Sequence, residues 1–257
     1  MEATRWATRH PVRILAEVDD WQGHDPDVLN TTLEHLASCG TRALTSSTTD
    51  SPGIDEEEGT MSKVIAVMSI SVDGYIADAS DGVAEVFDWY FSGDVEIPMP
   101  HPGSDMTFRV SPASAEHLKG LMAEVGAFLT GRRTFEVAHG WGGQHPWGVP
   151  AVVLTHQVPD GWPRPGSTVQ FVTDGIHSAV AAARSAAGGR AVAVHGADTI
   201  RQCLAAGLLR EIHMDLAAVL LGSGIRLFDH DGTAPLALGT PTVTNGIGVT
   251  HLRYPAP

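Results

Sequence analysis

From residue 63 onward, the chain alternates between short apolar runs and amphipathic segments. Apolar runs with the length and composition of buried strands begin at residues 64, 127, 151, 168, 191 and 209. Helical periodicity separates several of them, over residues 85–91, 111–125, 132–138, 176–187 and 197–206. Because connections between parallel strands usually pass through a helix, this alternation predicts a mostly parallel central sheet flanked by helices.

Two regions depart from the alternation. Residues 92–112 contain four prolines and two glycines, which predicts a long irregular loop. Residues 236–254 form two β-rich segments joined at Asn245 and Gly246, a pair typical of a hairpin turn. The predicted fold class is therefore α/β, a mostly parallel central sheet flanked by helices with an antiparallel C-terminal hairpin.

Residues 1–60 lack this pattern. They contain 12 acidic and 4 basic side chains and end in a stretch rich in Ser, Thr, Asp and Glu. A segment of this composition buries too little apolar surface to offset its ordering entropy. We predict a flexible acidic N-terminal extension over residues 1–60 and one domain over residues 61–257. Met61 is also a candidate translation start, and partner binding by the extension remains an open alternative to a passive tail.

Charge and cysteine content narrow the classes of partner. The formal net charge of −14 disfavours nucleic acid, because phosphate backbones require clustered Lys and Arg. Cys39 and Cys203 have no paired spacing, so we expect no disulfide framework and no cysteine metal site. No run approaches the ~20 apolar residues of a membrane span. We expect a cytoplasmic protein that does not bind membranes.

The segment 127–138 predicts a strand, a glycine turn and a helix start in succession. Gly131 allows a tight turn, and Arg132 and Arg133 lie beside the unpaired amides of the new helix, an arrangement that attracts phosphate. Taken alone, the segment is equally compatible with a surface turn carrying two solvated arginines. Two further strand ends carry polar or glycine residues, at Thr155 and at 195–197. Since ligands bind beyond the carboxyl ends of parallel strands, the three ends together favour a phosphate-containing ligand.

Five motifs occur in a characteristic order: Ser-Val-Asp-Gly-Tyr-Ile-Ala (71–77), Leu-Thr-Gly-Arg-Arg-Thr-Phe (129–135), Val-Leu-Thr-His (153–156), Val-His-Gly-Ala-Asp-Thr-Ile (194–200) and Leu-Leu-Gly-Ser-Gly-Ile-Arg-Leu-Phe (220–228). Each motif is weak alone, but the ordered series is fairly specific. It resembles the dihydrofolate reductase-like superfamily, in particular the reductase-domain branch shared with riboflavin biosynthesis. The resemblance covers roughly residues 62–255.

The resemblance implies an NADPH cofactor. Arg132 would pair with the 2'-phosphate, with help from Arg133, Thr155 and His156. The turn at Gly131, the Thr134 side chain and the backbone at Gly196, Ala197, Asp198 and Thr199 would hold the pyrophosphate, and the backbone at Ser69, Ile76 and Ala77 would contact the nicotinamide. His195 replaces a glycine that is common in the family. A partly protonated His195 would add attraction, whereas simple packing at the strand end is equally expected.

The implied reaction is hydride transfer to a C=N or C=O bond of a small heterocycle, such as a pterin or pyrimidinone. Asp88 is the nearest candidate proton donor, and an ordinary helix-face acid is the alternative interpretation. Trp89, Phe91 and Trp141 are candidate stacking walls for the substrate, although Trp141 equally suits a loop-packing role.

A non-catalytic NADPH-binding module or sensor is the alternative function, because the proton donor is the least certain element. The resemblance also implies a homodimer. His139, His145 and His156 show no metal-ligand spacing, so we expect no metal.

Overall fold

The structure is a computed structural model that describes residues 62–229 and 235–256. The predictions made for residues 1–60 lie outside the described residues. Among the residues that are described, no helix combines the length and the apolar character needed to cross a membrane.

The described part of the chain contains twelve strands: β1 (Val64–Ser71), β2 (Tyr75–Ala77), β3 (Val95–Pro98), β4 (Thr107–Val110), β5 (Val125–Gly131), β6 (Ala151–Leu154), β7 (Val169–Val172), β8 (Ala191–His195), β9 (Glu211–Ala217), β10 (Ile225–Arg226), β11 (Thr242–Asn245) and β12 (Val249–Pro255). Eight of them form one sheet in the order β11-β12-β9-β1-β8-β5-β6-β7. Neighbouring strands from β9 through β7 pair in parallel, whereas β12 is antiparallel to both β9 and β11. The predicted fold class, including its C-terminal hairpin, is confirmed.

Five α-helices connect the strands: α1 (Ala84–Phe87), α2 (Pro112–Glu124), α3 (Arg132–Val137), α4 (Ile176–Ala187) and α5 (Ala197–Ala205). Short 3-10 helices follow α1 and α3, over Asp88–Phe91 and His139–Gly143. The predicted start of α2 is confirmed, since the Ser111 hydroxyl accepts a hydrogen bond from the Ser114 amide at 3.2 Å. The α4 helix ends at Gly188 in the left-handed conformation that favours glycine.

The sheet is buried on both faces. Leu118 and Leu121 of α2 belong to apolar clusters on one face, and Phe128 of β5 lies on the same side. Ala179 of α4 and Ile200 of α5 belong to the cluster on the other face. This two-sided burial explains why the central strands are almost continuously apolar in sequence.

The predicted irregular loop over residues 92–112 is wrong. Strands β3 and β4 form an antiparallel hairpin there, with Val95 opposite Val110 and Pro98 opposite Thr107. These strands pair only with each other, so proline at the strand end disrupts no central ladder. Strand β9 is also shorter than the predicted 209–221 strand, because the chain leaves the sheet after Ala217.

A left-handed turn follows α3. His139 has a φ of 50° and Trp141 a φ of 50°, and the two glycines next to Trp141 also have positive φ. Residues other than glycine rarely adopt this backbone conformation, so tertiary packing has to maintain it. The Trp141 ring packs edge-on against Phe135 at 6.1 Å and against His145 at 5.0 Å between ring centroids. These contacts favour the loop-packing interpretation of Trp141 over the substrate wall.

Candidate dinucleotide site

The three strand ends singled out in the sequence lie side by side. Strands β8, β5 and β6 are consecutive in the sheet, with Thr130 opposite His195 and Gly131 opposite Leu154. The turns that leave these strands therefore share one edge, where parallel α/β sheets bind ligands. The predicted convergence of the strand ends is confirmed.

Two glycine turns at this edge fit closely into each other. A Cβ atom at Gly131 would lie 2.9 Å from the Thr199 hydroxyl oxygen, and one at Gly196 would lie 2.7 Å from the Thr134 hydroxyl oxygen. Gly196 also has a φ of +85°, which disfavours any side chain. A side chain at either position would displace one of these hydroxyl groups, and at Gly196 it would also force an unfavourable backbone conformation.

Helix α5 begins at this edge without a side-chain cap. Its N-cap residue is Gly196, which has no side chain to accept from the first amides. The Asp198 carboxylate accepts instead from the Gln202 side-chain amide at 2.6 Å, while Ala197 and Thr199 are buried. Uncapped amides at a helix start are a ready anion site, so the predicted pyrophosphate contacts at 196–199 fit as backbone contacts.

Both candidate phosphate-binding arginines have acidic partners. Arg132 donates from Nε to Glu136 Oε1 at 2.7 Å and from Nη1 to the Gln157 carbonyl at 3.1 Å. Arg133 forms an ion pair with Asp81, whose hydrogen bond raises the Arg133 pKa. Each contact uses only part of a guanidinium group that has five N–H donors. These are surface pairs, so they contribute little to stability and dissociate readily.

Thr155 and His156 differ in what they offer a ligand. Thr155 is buried, and its hydroxyl donates to the Gln157 carbonyl at 2.8 Å. That carbonyl also accepts from Arg132, so Thr155 positions the acceptor that orients the arginine. His156 is exposed. The structure thus places Thr155 behind Arg132, rather than on the surface as a direct phosphate contact.

His195 is a packed, neutral side chain. Its ring contacts Phe128 edge-on at 4.7 Å, and its Nε2 atom is buried without a hydrogen-bond partner among the described residues. Burial lowers the His195 pKa to about 4. The expected attraction from a protonated His195 is therefore not supported at neutral pH, and the packing interpretation fits the structure.

The motifs at 71–77 and 220–228 form one structural unit. The Asp73 carboxylate accepts from the Leu221 amide at 3.1 Å and the Gly222 amide at 2.6 Å, and β2 pairs with β10. Gly224 approaches so closely that a Cβ atom there would lie 2.0 Å from the Ala77 carbonyl oxygen. This unit holds Ile76 and Ala77, the predicted nicotinamide contacts, beside the end of β1.

A cavity of about 420 Å³ lies beside the end of β9 and contains the candidate proton donor. It is lined by Ala84, Glu85, Asp88, Trp89, Ser92, Ala218, Val219 and Gly248. Asp88 is exposed and thus reachable from this cavity. Trp89 is only 2% exposed, and its indole N–H donates to the Ser69 hydroxyl at 3.2 Å.

The predicted aromatic walls are not brought together as a group. Phe91 is 60% exposed and contacts Phe108 edge-on, whereas Trp89 is an interior side chain and Trp141 packs in the loop after α3. A second cavity, of about 410 Å³, is lined by His145 and Trp147 among others. It lies near the amino ends of β6 and β7, away from the glycine turns, so we do not assign it to the candidate site.

Sequence patterns missed a buried polar cluster formed by Ser114, His117, Asp215 and His251. His251 Nδ1 lies 2.7 Å from Asp215 Oδ1, and His251 Nε2 lies 2.9 Å from the Ser114 hydroxyl. His117 Nε2 lies 3.3 Å from the same Asp215 oxygen, without hydrogen-bond geometry. The available signal was Asp215 itself, a carboxylate inside the apolar strand β9, because buried charges require partners.

This cluster suits a buried carboxylate better than a metal or a nucleophile. The His117 and His251 rings are stacked, with centroids 4.0 Å apart and planes at 17°. Two nearly parallel rings cannot both direct an in-plane lone pair at one ion 2.0–2.1 Å away. Ser114 and His251 are almost fully covered, so substrate does not reach the hydroxyl. Burial acts to raise the Asp215 pKa, but the two histidines outweigh it and lower the pKa.

The fold defines an α/β domain of the dihydrofolate reductase-like class. The chain belongs to the RibD C-terminal domain family, whose model matches residues 62–246. This membership confirms the resemblance predicted from the five motifs, and it supports a reductase of the riboflavin-pathway type. No curated protein has a significant sequence match to the chain.

Solved structures support the same fold. A protein from Shewanella sp. PV-4, named provisionally for riboflavin biosynthesis, has a TM-score of 0.52 at 23% identity, over 77% of this chain and 99% of that one. RibD from Acinetobacter baumannii also has a TM-score of 0.52, at 16% identity, over 77% of this chain and 59% of that one. This chain therefore spans about three fifths of that RibD chain. Likeness at these identities establishes the fold alone.

We expect Asp215→Asn to lower the free energy of unfolding by about 3 kcal/mol, because it removes the buried negative charge that pairs with His251 and lies 3.3 Å from His117. Urea denaturation followed by circular dichroism measures the change. Asp174→Asn is the matched control, since Asp174 is exposed before α4. An equal, small decrease in the free energy of unfolding of both variants would contradict the structural role of Asp215.

We expect the free energy of unfolding to fall as the pH drops below about 6.5, the ordinary histidine pKa. Burial lowers the pKa of His145 to about 3 and that of His195 to about 4. Both stay neutral in the folded state and gain protons on unfolding. Their stabilisation is thus complete above pH ~6.5 and is lost toward their folded pKa values, by at most about 1.4 kcal/mol per pH unit for each.

Urea midpoints between pH 7 and 5 test this dependence in the wild type, in His145→Phe and in His177→Gln. The phenyl ring in His145→Phe keeps the contact with Phe128 and takes up no proton. The variant should therefore take up about one proton fewer on unfolding, which makes its free energy of unfolding less dependent on pH. The exposed His177 serves as the control and should leave the slope unchanged. A slope that is the same in all three proteins would refute the assignment.

Proposed function

We propose that this protein is an NADPH-dependent reductase that transfers a hydride to a small heterocycle of the pterin or pyrimidinone type. The observation that carries the proposal is the pair of interlocked glycine turns at Gly131 and Gly196, with two arginines beside them. In a chain of net charge −14, a local cluster of this kind provides the attraction that a polyanionic cofactor needs.

The arginines favour NADPH over NADH. Arg132 is held from behind by the Gln157 carbonyl and the Glu136 carboxylate, and its remaining N–H donors suit a 2'-phosphate. NADH has a hydroxyl at that position and would gain little from a guanidinium group. The Gly196 turn and the start of α5 suit the pyrophosphate, as a helix start favours anions whether or not the 2'-phosphate is present.

In this proposal the protein's own residues bind the cofactor, orient the nicotinamide and protonate the substrate. When bound, NADPH supplies the hydride. The unit of 71–77 and 220–228 would orient the nicotinamide through the backbone of Ile76 and Ala77, and the cavity that contains Asp88 would hold the substrate. Asp88 would deliver a proton to the nitrogen or oxygen of the double bond whose carbon receives the hydride.

A second function rests on the exposure of Asp88. Asp88 is exposed to solvent, whereas catalytic acids usually act in sites that exclude water. This favours, as the alternative, a module that binds NADPH without turnover. Cytoplasmic location and homodimer formation stay predictions from composition and family resemblance.

We expect Arg132→Ala to weaken NADPH binding by about tenfold or more, because a charged hydrogen bond to the 2'-phosphate is lost. NADH binding should change by less than about twofold, since it lacks that phosphate. Fluorescence titration of both nucleotides measures the two dissociation constants. The control is Arg190→Ala, at an exposed arginine just before β8 and thus at the opposite edge of the sheet.

Two outcomes contradict the cofactor assignment. One is failure of the wild-type protein to bind NADPH. The other is an equal loss of NADPH and NADH affinity in Arg132→Ala, which would indicate a structural defect rather than a lost phosphate contact.

We expect turnover with at least one member of a panel of dihydropterins, pyrimidinones and flavins, measured as NADPH consumption at 340 nm. Asp88→Asn should lower kcat by about a hundredfold and shift the pH profile, because general acid catalysis contributes factors of this order. NADPH affinity should stay unchanged. NADPH binding without turnover on the whole panel would support the binding module instead.

A further inference from the structure

The Asp81–Arg133 ion pair joins two distant parts of the chain at the candidate dinucleotide site. Asp81 lies in the loop between β2 and α1, and Arg133 is the second residue of α3. The loop follows Ala77, a predicted nicotinamide contact, whereas α3 carries the predicted 2'-phosphate contacts. The pair therefore links the two ends of the proposed cofactor site.

The loop holds Asp81 in place for this contact. Asp78 Oδ1 accepts from the Ser80 amide at 2.6 Å and from the Gly82 amide at 2.8 Å. The Asp78 amide in turn donates to the Gly82 carbonyl at 2.8 Å. Asp81 itself has a φ of 63°, a conformation that Asp tolerates better than most residues. The carboxylate is thus presented by a closed turn rather than by a freely rotating chain.

The two partners differ in exposure. The Asp81 side chain is 20% exposed, and the Arg133 side chain is 73% exposed. Arg132 is already paired within its own helix, with Glu136 one turn later. Arg133, by contrast, pairs with Asp81 from a different element, at a site proposed to bind phosphate. A carboxylate and a phosphate present similar oxygen acceptors to a guanidinium group, so they compete for it.

We propose that Asp81 is a specificity-determining residue, an internal counter-ion that competes with the 2'-phosphate of NADPH for Arg133. The inference rests on the proposed function. In the free protein the carboxylate occupies the guanidinium group of Arg133. The 2'-phosphate of NADPH competes with this carboxylate, whereas NADH has no 2'-phosphate and leaves the pair intact. Asp81 therefore lowers the affinity of the protein for NADPH but not for NADH, and so reduces the ratio of the two affinities.

The test compares Asp81→Asn with the wild type in fluorescence titrations of NADPH and NADH at low and high ionic strength. Removal of the competing charge should tighten NADPH binding by about threefold and leave NADH binding within about 1.5-fold. The gain should shrink at high salt, because exposed charges are screened there. Asp174→Asn, at an exposed acid outside the site, is the control for the change in net charge.

The Arg133→Gln variant distinguishes competition for the guanidinium group from a structural change in the loop that carries Asp81. In Arg133→Gln, no guanidinium group remains to compete for, so adding Asp81→Asn should have no further effect on NADPH binding. An equal effect of Asp81→Asn in both backgrounds, or weaker NADPH binding in the single variant, would overturn the inference.

Failure of the inference is distinguishable from failure of the proposed function. If Arg132→Ala selectively loses NADPH affinity while Asp81→Asn changes nothing, the cofactor assignment stands and only the role of Asp81 is lost. If the wild-type protein does not bind NADPH, both are lost.

Discussion

The parallel pairing of β5 with β8 is the constraint on which the candidate site depends. It sets Thr130 opposite His195, so the turns that follow these strands leave the sheet side by side. Only at this register do Gly131 and Gly196 meet the hydroxyl groups of Thr199 and Thr134. A shift by one residue would reverse which side chains face each layer of the core, and the burial of both sheet faces forbids it.

The proposed cofactor site would have to attract an anion to an acidic protein. The net charge of −14 opposes a polyanionic ligand at long range, so the attraction has to come from short-range groups. In the proposed site Arg132 and Arg133 would provide it, and each has a carboxylate partner, Glu136 or Asp81. In the proposed site, a phosphate would compete with these carboxylates for the two guanidinium groups, which would favour selective over strong recognition.

The buried histidines of this fold occupy two kinds of environment. His145 and His195 pack against Phe128 and stay neutral because burial lowers the pKa of each. His251 and His117 instead surround the buried Asp215 carboxylate. These pairings join different segments of the chain, as with His251 and Asp215 or His195 and Phe128, so local sequence does not predict them. Histidine spacing alone therefore does not reveal these pairings.

Sequence patterns predicted the strands of the large sheet, most helices, the cap of α2 and the glycine turn before Arg132. Periodicity, capping residues and glycine act over a few neighbouring residues, so such features can be predicted locally. Sequence patterns did not reveal the β3–β4 hairpin, since proline-rich strands that pair only with each other lack a strong pattern. Only the folded chain shows that Thr155 and Arg132 share the Gln157 carbonyl, that Trp89 is interior, and that Asp81 pairs with Arg133. Each of these depends on contacts between segments far apart in the chain, which local patterns do not encode.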